Sequence, residues 1–309
     1  IGVVIDSPPP GFKINFEELS AFMDRRRGGK STLSTPRSEP DVPKILSGVV
    51  DGITCGTPLC AIIENTNTIS KDYSSIKTVA RPGHADYTGY LRYNGFNDIR
   101  GGGHFSGRLT APLVFAGGLF KQVLAEKGIT IGAHLLSVGN ADDEPFDFVN
   151  VTAEQLTEIT KKSIPAINDK AAILMANEIE KARNDLNSVG GVVECCAVGV
   201  PAGLGSPMFD GLESIISRIV FGIPAVKGVS FGIGFEAARL TGYQNNDEFY
   251  MENGIVKTQT NNHGGILGGI STGMPLIMQA AFKPTPSIAK KQNTVDFKKL
   301  ENTEIEVNG

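Results

Sequence analysis

The chain has 309 residues, of which 40% are hydrophobic and 20% are charged, and its formal net charge is −4. This composition is typical of a folded globular protein with an ample core, and it excludes a disordered chain. The acidic balance argues against a nucleic-acid-binding domain, and no apolar run reaches the roughly 18 residues that a membrane helix needs. The 4 cysteines form no CxxC pair, so we predict no metal site and a reducing, cytoplasmic location.

The first 65 residues are predicted to contain a strand, a helix and a hairpin. Residues 1–6 form a short apolar strand that ends before three prolines. Asn15 is the predicted N-cap of a helix, with an acidic residue at capping-box spacing, and three arginines at 25–27 fall in its last turn. On spacing alone, these arginines fit a helix C-terminus as well as an anion site. The Asp51-Gly52 pair then predicts the turn of a hairpin over 44–65.

Two glycine-rich runs match part of a nucleotide-binding motif without its context. Residues 28–32 read GGKST, but Asp24 stands where a P-loop has its first glycine, and a predicted helix precedes the run where a strand is needed. Residues 232–237 read GIGFEA, but the helix that could follow would end near Thr241, which is too short for a Rossmann crossover. We therefore predict neither a P-loop nor a dinucleotide-binding fold.

The stretch 81–108 gathers the residues with the strongest chemical character. It contains His84 and His104, a Gly-Gly-Gly run, and four arginines at positions 81, 92, 100 and 108. Guanidinium groups bind planar anions through paired hydrogen bonds, histidine exchanges protons near neutral pH, and glycine lets the backbone approach a ligand closely. The pattern predicts a site for a small anion with proton transfer beside it. A solvated basic loop remains the alternative on composition alone.

Five regular elements are predicted between this stretch and residue 200. Residues 109–127 form a helix that is apolar on nearly every side and is therefore buried. A strand over 129–138 follows, and Thr152 then opens a short helix. A longer helix covers 169–186. The last element is a strand over 189–200, whose two adjacent cysteines we interpret as core residues.

The remaining residues contain turn signals and one run that suits a phosphate. Asn253-Gly254 predicts a hairpin turn. The run KPTPS at 283–287 places a lysine and two hydroxyls on a stiff backbone, although the exit of a strand would also explain it. Residues 290–309 are charged and carry no periodic pattern, so we predict a flexible loop there.

The second half of the chain repeats a pattern of the first. The run GISTGMPL at 269–276 matches GITCGTPL at 52–59, and in each copy a proline–glycine turn precedes an amphipathic helix, which carries Phe209 and Leu212 in the second copy. We predict one domain over 1–309, with pseudo-repeats at about 1–140 and 189–290 and a helical insert between them. The predicted fold is α+β, a sheet–helix–sheet sandwich in which antiparallel sheets with an internal pseudo-two-fold repeat enclose a helical layer.

The sequence resembles the chorismate synthase family. RPGHADYTG at 81–89 and RGGGHFSGRLTAPLVFAGG at 100–118 are similar to stretches of that family, as are TPRSEPD at 35–41, NNHGGILGG at 261–269 and KPTPS at 283–287. Two further family motifs, Gly-Glu-Ser-His-Gly and Arg-His-Asp-Pro, would lie before Ile1 and after Gly309. The resemblance therefore implies that the sequence is a fragment.

The resemblance also implies an activity. Members of the family are carbon–oxygen lyases of the shikimate pathway to the aromatic amino acids. They remove phosphate and a ring hydrogen from 5-enolpyruvylshikimate 3-phosphate in a 1,4-anti elimination that gives chorismate. They need reduced FMN although the reaction has no net redox change, and NADPH is a candidate reductant of that flavin. The implied assembly is a cytoplasmic homotetramer, with neither nucleic acid nor membrane as a partner.

Residue by residue, the resemblance assigns roles to three groups of side chains. His84 is the implied catalytic histidine, and the implied anion-binding residues are Arg26, Arg37, Arg81 and Arg108. His104 and Phe105 stand where many members have Arg-Ser, and Thr32 replaces a basic residue, which weakens the flavin and nicotinamide assignments there. The implied FMN contacts are His104, Phe105, Ser106, Pro224, Ala225, Gly268, Lys283, Pro284, Thr285, Pro286 and Ser287.

Two histidines are expected to have structural roles, and two other functions remain open. His134 lies on an apolar strand and is predicted to be a hydrogen-bonded core residue, while His263 is expected to orient the backbone of its glycine-rich run. The alternatives to the lyase are an FMN-binding protein without lyase activity and a phosphometabolite-binding protein. Several arginines near one histidine favour an enzyme that acts on an anion, since an electron carrier needs no such cluster.

Overall fold

The computed structural model describes residues 1–28, 39–64 and 78–307. The first helices and strands are β1 (Gly2–Ile5), α1 (Phe16–Asp24), β2 (Pro43–Ser47), β3 (Val49–Val50), β4 (Ile53–Thr54), β5 (Leu59–Ile63), α2 (Asp86–Arg92) and α3 (Thr110–Ala125). There follow β6 (Thr130–Val138), β7 (Ala141–Asp142), α4 (Ala153–Ile159), α5 (Asp169–Asn184), β8 (Gly191–Val198), α6 (Leu212–Val220), β9 (Val226–Phe231), α7 (Gly242–Asn245), β10 (Phe249–Glu252), β11 (Ile255–Thr258), β12 (Ile266–Leu267), β13 (Ile270–Ser271) and β14 (Leu276–Phe282). The remaining strands are β15 (Gln292–Asp296) and β16 (Glu301–Ile305).

The chain divides into two compact units. Unit 1 comprises Ile1–Val123 and Pro286–Gly309, and unit 2 comprises Leu124–Thr285. Each unit combines helices with antiparallel strands, so the predicted α+β class is confirmed. Among the described residues, no helix is both long enough and apolar enough to cross a membrane. The organisation as one domain with two pseudo-repeats and a helical insert stays a prediction.

The sheet of unit 1 is covered by two helices. Its three antiparallel strands lie in the order β1-β5-β2. β5 alternates buried and half-buried residues, so that Leu59, Ala61 and Ile63 point into the core. They share that core with Leu19 of α1 and Phe115 of α3. Fully burying each large side chain of this kind stabilises the fold by about 1.5–3 kcal/mol. The predicted burial of the helix at 109–127 is thus confirmed for one side of α3, whereas Leu113 is 45% exposed.

The predicted local signals of unit 1 are mostly confirmed. Asn15 caps α1 by accepting a hydrogen bond from the backbone N–H of Glu18 at 3.1 Å. Asp51 and Gly52 both have positive φ, of 50° and 78°, in the turn that joins β3 to β4. The predicted apolar face of α1 is only partly buried, because Phe16 is 46% exposed.

The prediction of a flexible loop over 290–309 is wrong for its described part. β15 and β16 form an antiparallel hairpin, with Gln292 opposite Ile305 and Asp296 opposite Glu301. The residues of β15 that turn inward are Gln292, Thr294 and Asp296, which are polar. Thr294 and Asp296 bind Ala80 O and Thr78 Oγ1 across 214 and 218 positions. Because its inward side chains are polar, the strand carries none of the hydrophobic alternation by which strands are recognised.

The main sheet of unit 2 has five antiparallel strands in the order β7-β6-β8-β14-β9. One core lies under α4, where Leu156 packs with Cys196 and Ile277. A Cβ atom at Gly132 of β6 would stand 2.8 Å from Leu156, so only glycine admits α4 this close to the strand. Burial raises the pKa of the Cys196 thiol, which agrees with the predicted core role of this cysteine.

The two units share one local hydrogen-bonding pattern. Thr54 Oγ1 accepts a hydrogen bond from Phe12 N at 3.0 Å and donates one to Pro9 O. Ser271 Oγ accepts from Leu204 N at 2.9 Å and donates to Pro201 O at 2.6 Å. The two hydroxyl groups occupy matching places in the repeated runs at 52–59 and 269–276, and they support the predicted repeat.

The helix predicted to carry Phe209 begins later, at Leu212, and Phe209 lies in a 3-10 turn with 86% of its surface exposed.

Candidate active site

The segment that leads into the site is held by the β15–β16 hairpin. Ala80 N donates to Val295 O at 3.2 Å, and Phe297 N donates to Thr78 O at 3.0 Å. Thr294 Oγ1 also donates to Ala80 O. The ring of Phe297 packs against Tyr90 of α2, with centroids 4.6 Å apart. These contacts fix the position of residue 81 and of the start of α2.

Arg81 and Asp86 form the centre of the site. The Arg81 side chain is only 9% exposed, and its Nε and Nη2 atoms each donate to a carboxylate oxygen of Asp86 at 2.8 Å. Asp86 Oδ2 also accepts from Arg81 N at 3.0 Å. Although burial raises the pKa of Asp86, hydrogen bonds from Arg81 and His84 and the charge of the guanidinium outweigh it and hold that pKa well below its ordinary value. Asp86 is therefore an ionised, bidentate partner of Arg81.

His84 joins the same carboxylate. Its Nδ1 atom lies 2.7 Å from Asp86 Oδ1, and its side chain is 13% exposed. Arg81 Nη2 lies 3.0 Å from Nδ1 and 3.2 Å from Nε2. Because the two ring nitrogens point in different directions, one donor cannot bond to both, and Nη2 packs against the ring. Since an ionised carboxylate only accepts hydrogen bonds, Nδ1 carries a proton. Nε2 is then the ring atom that can exchange a proton with a ligand.

Phe105 and Ser287 complete the arrangement around Arg81, His84 and Asp86. The edge of the Phe105 ring meets His84 at a centroid distance of 6.5 Å. A Cβ atom at Gly89 of α2 would come within 2.5 Å of Phe105, so glycine is needed for this packing. Ser287 Oγ accepts from Arg81 Nη1 at 3.1 Å. We call Arg81, His84, Asp86, Phe105 and Ser287 the Arg81–His84 cluster.

A cavity of about 260 Å³ also lies in unit 1, and Ser106 connects it in sequence to Phe105. Arg26 of the cavity pairs with Asp41, and Arg108 pairs with Glu39. Arg26 Nη2 also lies 3.4 Å from Thr110 Oγ1. We call it the arginine cavity, and its lining consists of Arg26, Arg27, Gly28, Glu39, Asp41, Ser106, Gly107 and Arg108.

The comparisons with known proteins agree with the resemblance. The family model described as chorismate synthase matches residues 1–309. The chain belongs to the chorismate synthase family. It is 48% identical over 312 residues to the chorismate synthase of Pyrococcus abyssi and 46% identical over 309 residues to that of Thermococcus kodakarensis, covering 100% of this chain and 85% and 84% of those relatives. A crystal structure of a chorismate synthase superposes with a TM-score of 0.75 at 29% identity, covering 92% of this chain and 80% of that one.

Membership of the chorismate synthase family makes the chain an enzyme, a lyase. The residues that the resemblance assigned to anion binding lie in two places of unit 1. Arg81 belongs to the Arg81–His84 cluster, and Arg26 and Arg108 line the arginine cavity. Arg37 lies outside the described residues. The roles of these side chains remain proposals.

The residues assigned to flavin contact are divided between the units. In unit 1, Ser106 and Phe105 lie at the site, and Ser287 binds Arg81. Pro286 is half-buried and belongs to the same unit. His104 is exposed and packs near Tyr93, with centroids 6.4 Å apart. The structure therefore places His104 apart from the contact between His84 and Phe105, although the two residues are adjacent in sequence.

In unit 2, two of the assigned segments meet. Lys283 N donates to Ala225 O at 2.9 Å, which ties Pro284 and its neighbours to the Pro224-Ala225 pair. Ala225 has an unusual positive φ of 75°. Thr285 O accepts from Ser188 Oγ at 2.6 Å. Gly268 has a φ of 62°, and a Cβ atom built there would meet nothing within 4 Å, so its backbone is open to close approach.

The two structural histidines behave as predicted. The fully buried His134 lies between two carboxylates, with Nδ1 3.1 Å from Asp143 Oδ2 and Nε2 3.0 Å from Glu194 Oε2. His263 Nδ1 accepts from Gly265 N at 2.9 Å, which orients the glycine-rich backbone. Burial lowers the pKa of His263, against the opposing charge of Asp247.

Sequence reasoning missed the acidic partners of the site. The sequence signal for Asp86 is its place two positions after His84 in RPGHAD, where a carboxylate can orient the histidine. Glu39 and Asp41 lie in the run TPRSEPD at 35–41 and carry no signal of their own. Their pairing with Arg108 and Arg26 spans 69 and 15 positions, and no local pattern predicts contacts of that kind.

Proposed function

We propose that the chain converts 5-enolpyruvylshikimate 3-phosphate to chorismate by 1,4-anti elimination of phosphate, with reduced FMN as cofactor and no net redox change. Membership of the chorismate synthase family supports the reaction. The observation that supports particular residues is the Arg81–His84 cluster. There the Arg81 guanidinium, which is held by Asp86, lies beside His84, whose Nδ1 proton is also held by Asp86. Such a pair combines anion binding with proton transfer.

The arginines would bind and stabilise the departing phosphate. Arg81 uses its Nε–Nη2 edge for Asp86, and Nη1, which donates one hydrogen bond to Ser287, has a second N–H for a ligand. Arg26 and Arg108 pair with Asp41 and Glu39 in the arginine cavity. A dianionic phosphate would exchange places with these carboxylates, because it offers more charge to each guanidinium. Arg37 is proposed as a further anion ligand from the resemblance alone.

His84 would supply the proton chemistry. Asp86 holds Nδ1, so the proton that moves is carried at Nε2. The half-buried site around Phe105 limits access of water to that atom. A proton delivered at Nε2 would neutralise charge as it develops during the elimination, a contribution of about 10²–10⁴ in rate for a positioned general acid.

The residues assigned to FMN suit a flavin in two respects. Gly268 presents backbone that a planar ring can approach closely, since a Cβ atom built there would meet nothing within 4 Å. Ala225 is assigned to the flavin from the resemblance alone. Lys283 supplies a cation, and Thr285 and Ser287 each supply a hydroxyl, which are groups that bind phosphate. His104, Phe105, Ser106, Pro224, Pro284 and Pro286 are proposed to contact the flavin as well. When bound, reduced FMN supplies an electron-rich surface for the allylic system, and NADPH is the candidate donor that would reduce it.

We also propose a cytoplasmic homotetramer that binds neither nucleic acid nor membrane. Unit 2 exposes several large apolar side chains, including Phe209, Phe235 and Tyr243, each at least 86% exposed. Exposed apolar side chains of this size are often covered by a second copy in an assembly. Light scattering of the purified protein would measure the number of copies, and a monomer at micromolar concentration would contradict this part.

The experiment is an anaerobic assay of the full-length protein with reduced FMN and 5-enolpyruvylshikimate 3-phosphate. We expect chorismate absorbance to rise, and no product when the flavin is left oxidised. The His84→Ala variant is the matched control for adventitious chemistry by free flavin. Flavin binding without product would favour the FMN-binding alternative, and substrate binding without a flavin requirement would favour a phosphometabolite-binding protein.

A further inference from the structure

We propose that Asp86 is a positioning residue of the active site, which orients Arg81 and fixes the tautomer of His84 with a single carboxylate. The proposal rests on the proposed function, because it assumes that these two side chains act on the substrate. It concerns a residue that touches neither substrate nor flavin in the proposed arrangement. Asp86 would act only through its two neighbours.

The geometry of the carboxylate supports this role. Both oxygens of Asp86 are engaged, Oδ2 by Arg81 N and Nε at 3.0 and 2.8 Å, and Oδ1 by Arg81 Nη2 and His84 Nδ1 at 2.8 and 2.7 Å. Its side chain is only 12% exposed. Oδ1 therefore receives one hydrogen bond from each of the two active-site residues. A change in the position of this atom would move both of them.

The same contacts determine which nitrogen of His84 carries the proton. Without Asp86, the carboxylate that accepts from Nδ1 would be gone. Arg81 Nη2 packs against the ring, 3.0 Å from Nδ1 and 3.2 Å from Nε2, and would favour neither nitrogen. The neutral ring could then carry its proton on either nitrogen. With Asp86 present, the neutral ring carries its proton on Nδ1 and leaves the Nε2 lone pair available. Asp86 thus allows Nε2 to gain and lose a proton in turn.

A purely structural role fits the observations less well. Asp86 is the first residue of α2, where a carboxylate could cap the helix. Its hydrogen bonds go instead to the backbone and side chain of Arg81 and to His84, and the α2 N-cap, Ala85, makes no side-chain hydrogen bond. α2 is held from outside by the packing of Tyr90 on Phe297 and of Gly89 on Phe105. The helix therefore has supports that do not involve the Asp86 carboxylate.

The test is the nitrogen NMR spectrum of His84 in the full-length protein, with neither substrate nor flavin added. In the wild type we expect the neutral ring to be protonated at Nδ1. In Asp86→Asn, whose amide group presents a donor to one of the two neighbours, we expect the proton to move to Nε2 in a large fraction of molecules. Turnover should fall about a hundredfold, and the pH profile of kcat should change with it.

The matched control is Asp147→Asn, which removes a carboxylate that accepts hydrogen bonds from Val149 N and Asn150 N at 3.0 Å in unit 2. It should leave both the His84 spectrum and turnover unchanged.

The outcomes separate this proposal from the proposed function. A wild-type ring protonated at Nε2, or an unchanged His84 spectrum in Asp86→Asn, would overturn the positioning role whatever the activity. Absence of chorismate formation in the wild type would overturn the proposed function while the NMR result still decides on Asp86. If Asp86→Asn does not fold, Asp86→Glu retains the carboxylate one methylene further out. It should keep the Nδ1 proton but lower kcat more than it raises KM, and wild-type kinetics in this variant would count against the proposal.

Discussion

Replacing His134 by leucine should destabilise unit 2 strongly. His134 is paired across the sheet with Glu194, directly opposite it in the β6–β8 register, and it also contacts Asp143. Both carboxylates have fully buried side chains. Removing one partner from a buried ion pair costs about 3–5 kcal/mol. Each carboxylate loses its contact with His134 but keeps its other hydrogen bonds, from Phe146 N and Gln279 Nε2 to Glu194 and from Ile167 N and Asn168 N to Asp143. A chain of this size loses roughly 2 °C of melting temperature per kcal/mol, so we expect a decrease of roughly 6–10 °C.

Removing the two carboxylates together with His134 should restore part of the lost stability. The triple variant His134→Leu, Asp143→Asn, Glu194→Gln replaces both carboxylates by neutral amides. It should melt at a higher temperature than His134→Leu alone, because replacing a buried polar group as a whole costs less than removing one partner from it. Thermal unfolding followed by circular dichroism measures each variant. The same leucine substitution at the exposed His104 is the control and should change stability by less than about 0.5 kcal/mol. A single variant that melts within about 2 °C of the wild type, or a triple variant that melts below the single one, would refute the reasoning.

The remaining predictions concern the active site. His84→Ala should lower turnover about a hundredfold or more while substrate affinity is largely kept, and turnover like that of the wild type would remove His84 from the catalytic role. Arg81→Lys and Arg108→Lys should each weaken substrate binding, because lysine keeps the charge but loses the two-pronged donor; unchanged affinity by calorimetry in both would place these arginines outside the anion site. The pKa of Asp86 is lowered on folding from the ordinary value of 3.8. The ionised Asp86 should therefore contribute fully to the stability of the folded protein above about pH 4, and this contribution should be lost as the pH falls further. Melting curves between pH 2 and 7 should show a steeper acid loss for the wild type than for Asp86→Asn, and parallel curves would contradict the assignment.

Local features were predictable from the sequence because their causes are local. Asn15 and Thr152 cap helices through bonds to residues three positions ahead, and the Asp51-Gly52 turn depends on two adjacent residues of positive φ. The apolar run of α3 predicted its burial. The nearness of Arg81 to His84 follows from their separation of three positions.

What the sequence could not show is long-range pairing between polar groups. Arg81 and Ser287 meet across 206 positions, and Thr78 and Asp296 across 218. Polar strands such as β15 contain no alternation of hydrophobic and polar residues, so the sequence predicts a loop where the structure has a hairpin. The contacts of Asp86 were not predictable for a different reason. Its contacts are short in sequence, but whether a carboxylate beside an arginine faces a ligand, a histidine or solvent depends on how the segment is supported.

The hairpin that supports residues 78–80 has a consequence for the order in which the active site forms. β1, α1, β5 and α3 lie within the first 125 residues, so the scaffold of unit 1 can assemble early during synthesis. Thr294 binds the carbonyl of Ala80 across 214 positions, and at about 5–20 residues per second the ribosome needs roughly 10 to 40 s to make that interval. Throughout this time Arg81 and His84 lack both the hairpin and Ser287. A nascent chain would therefore carry the residues of the site without its geometry, and anion binding would begin only once the hairpin has emerged and docked.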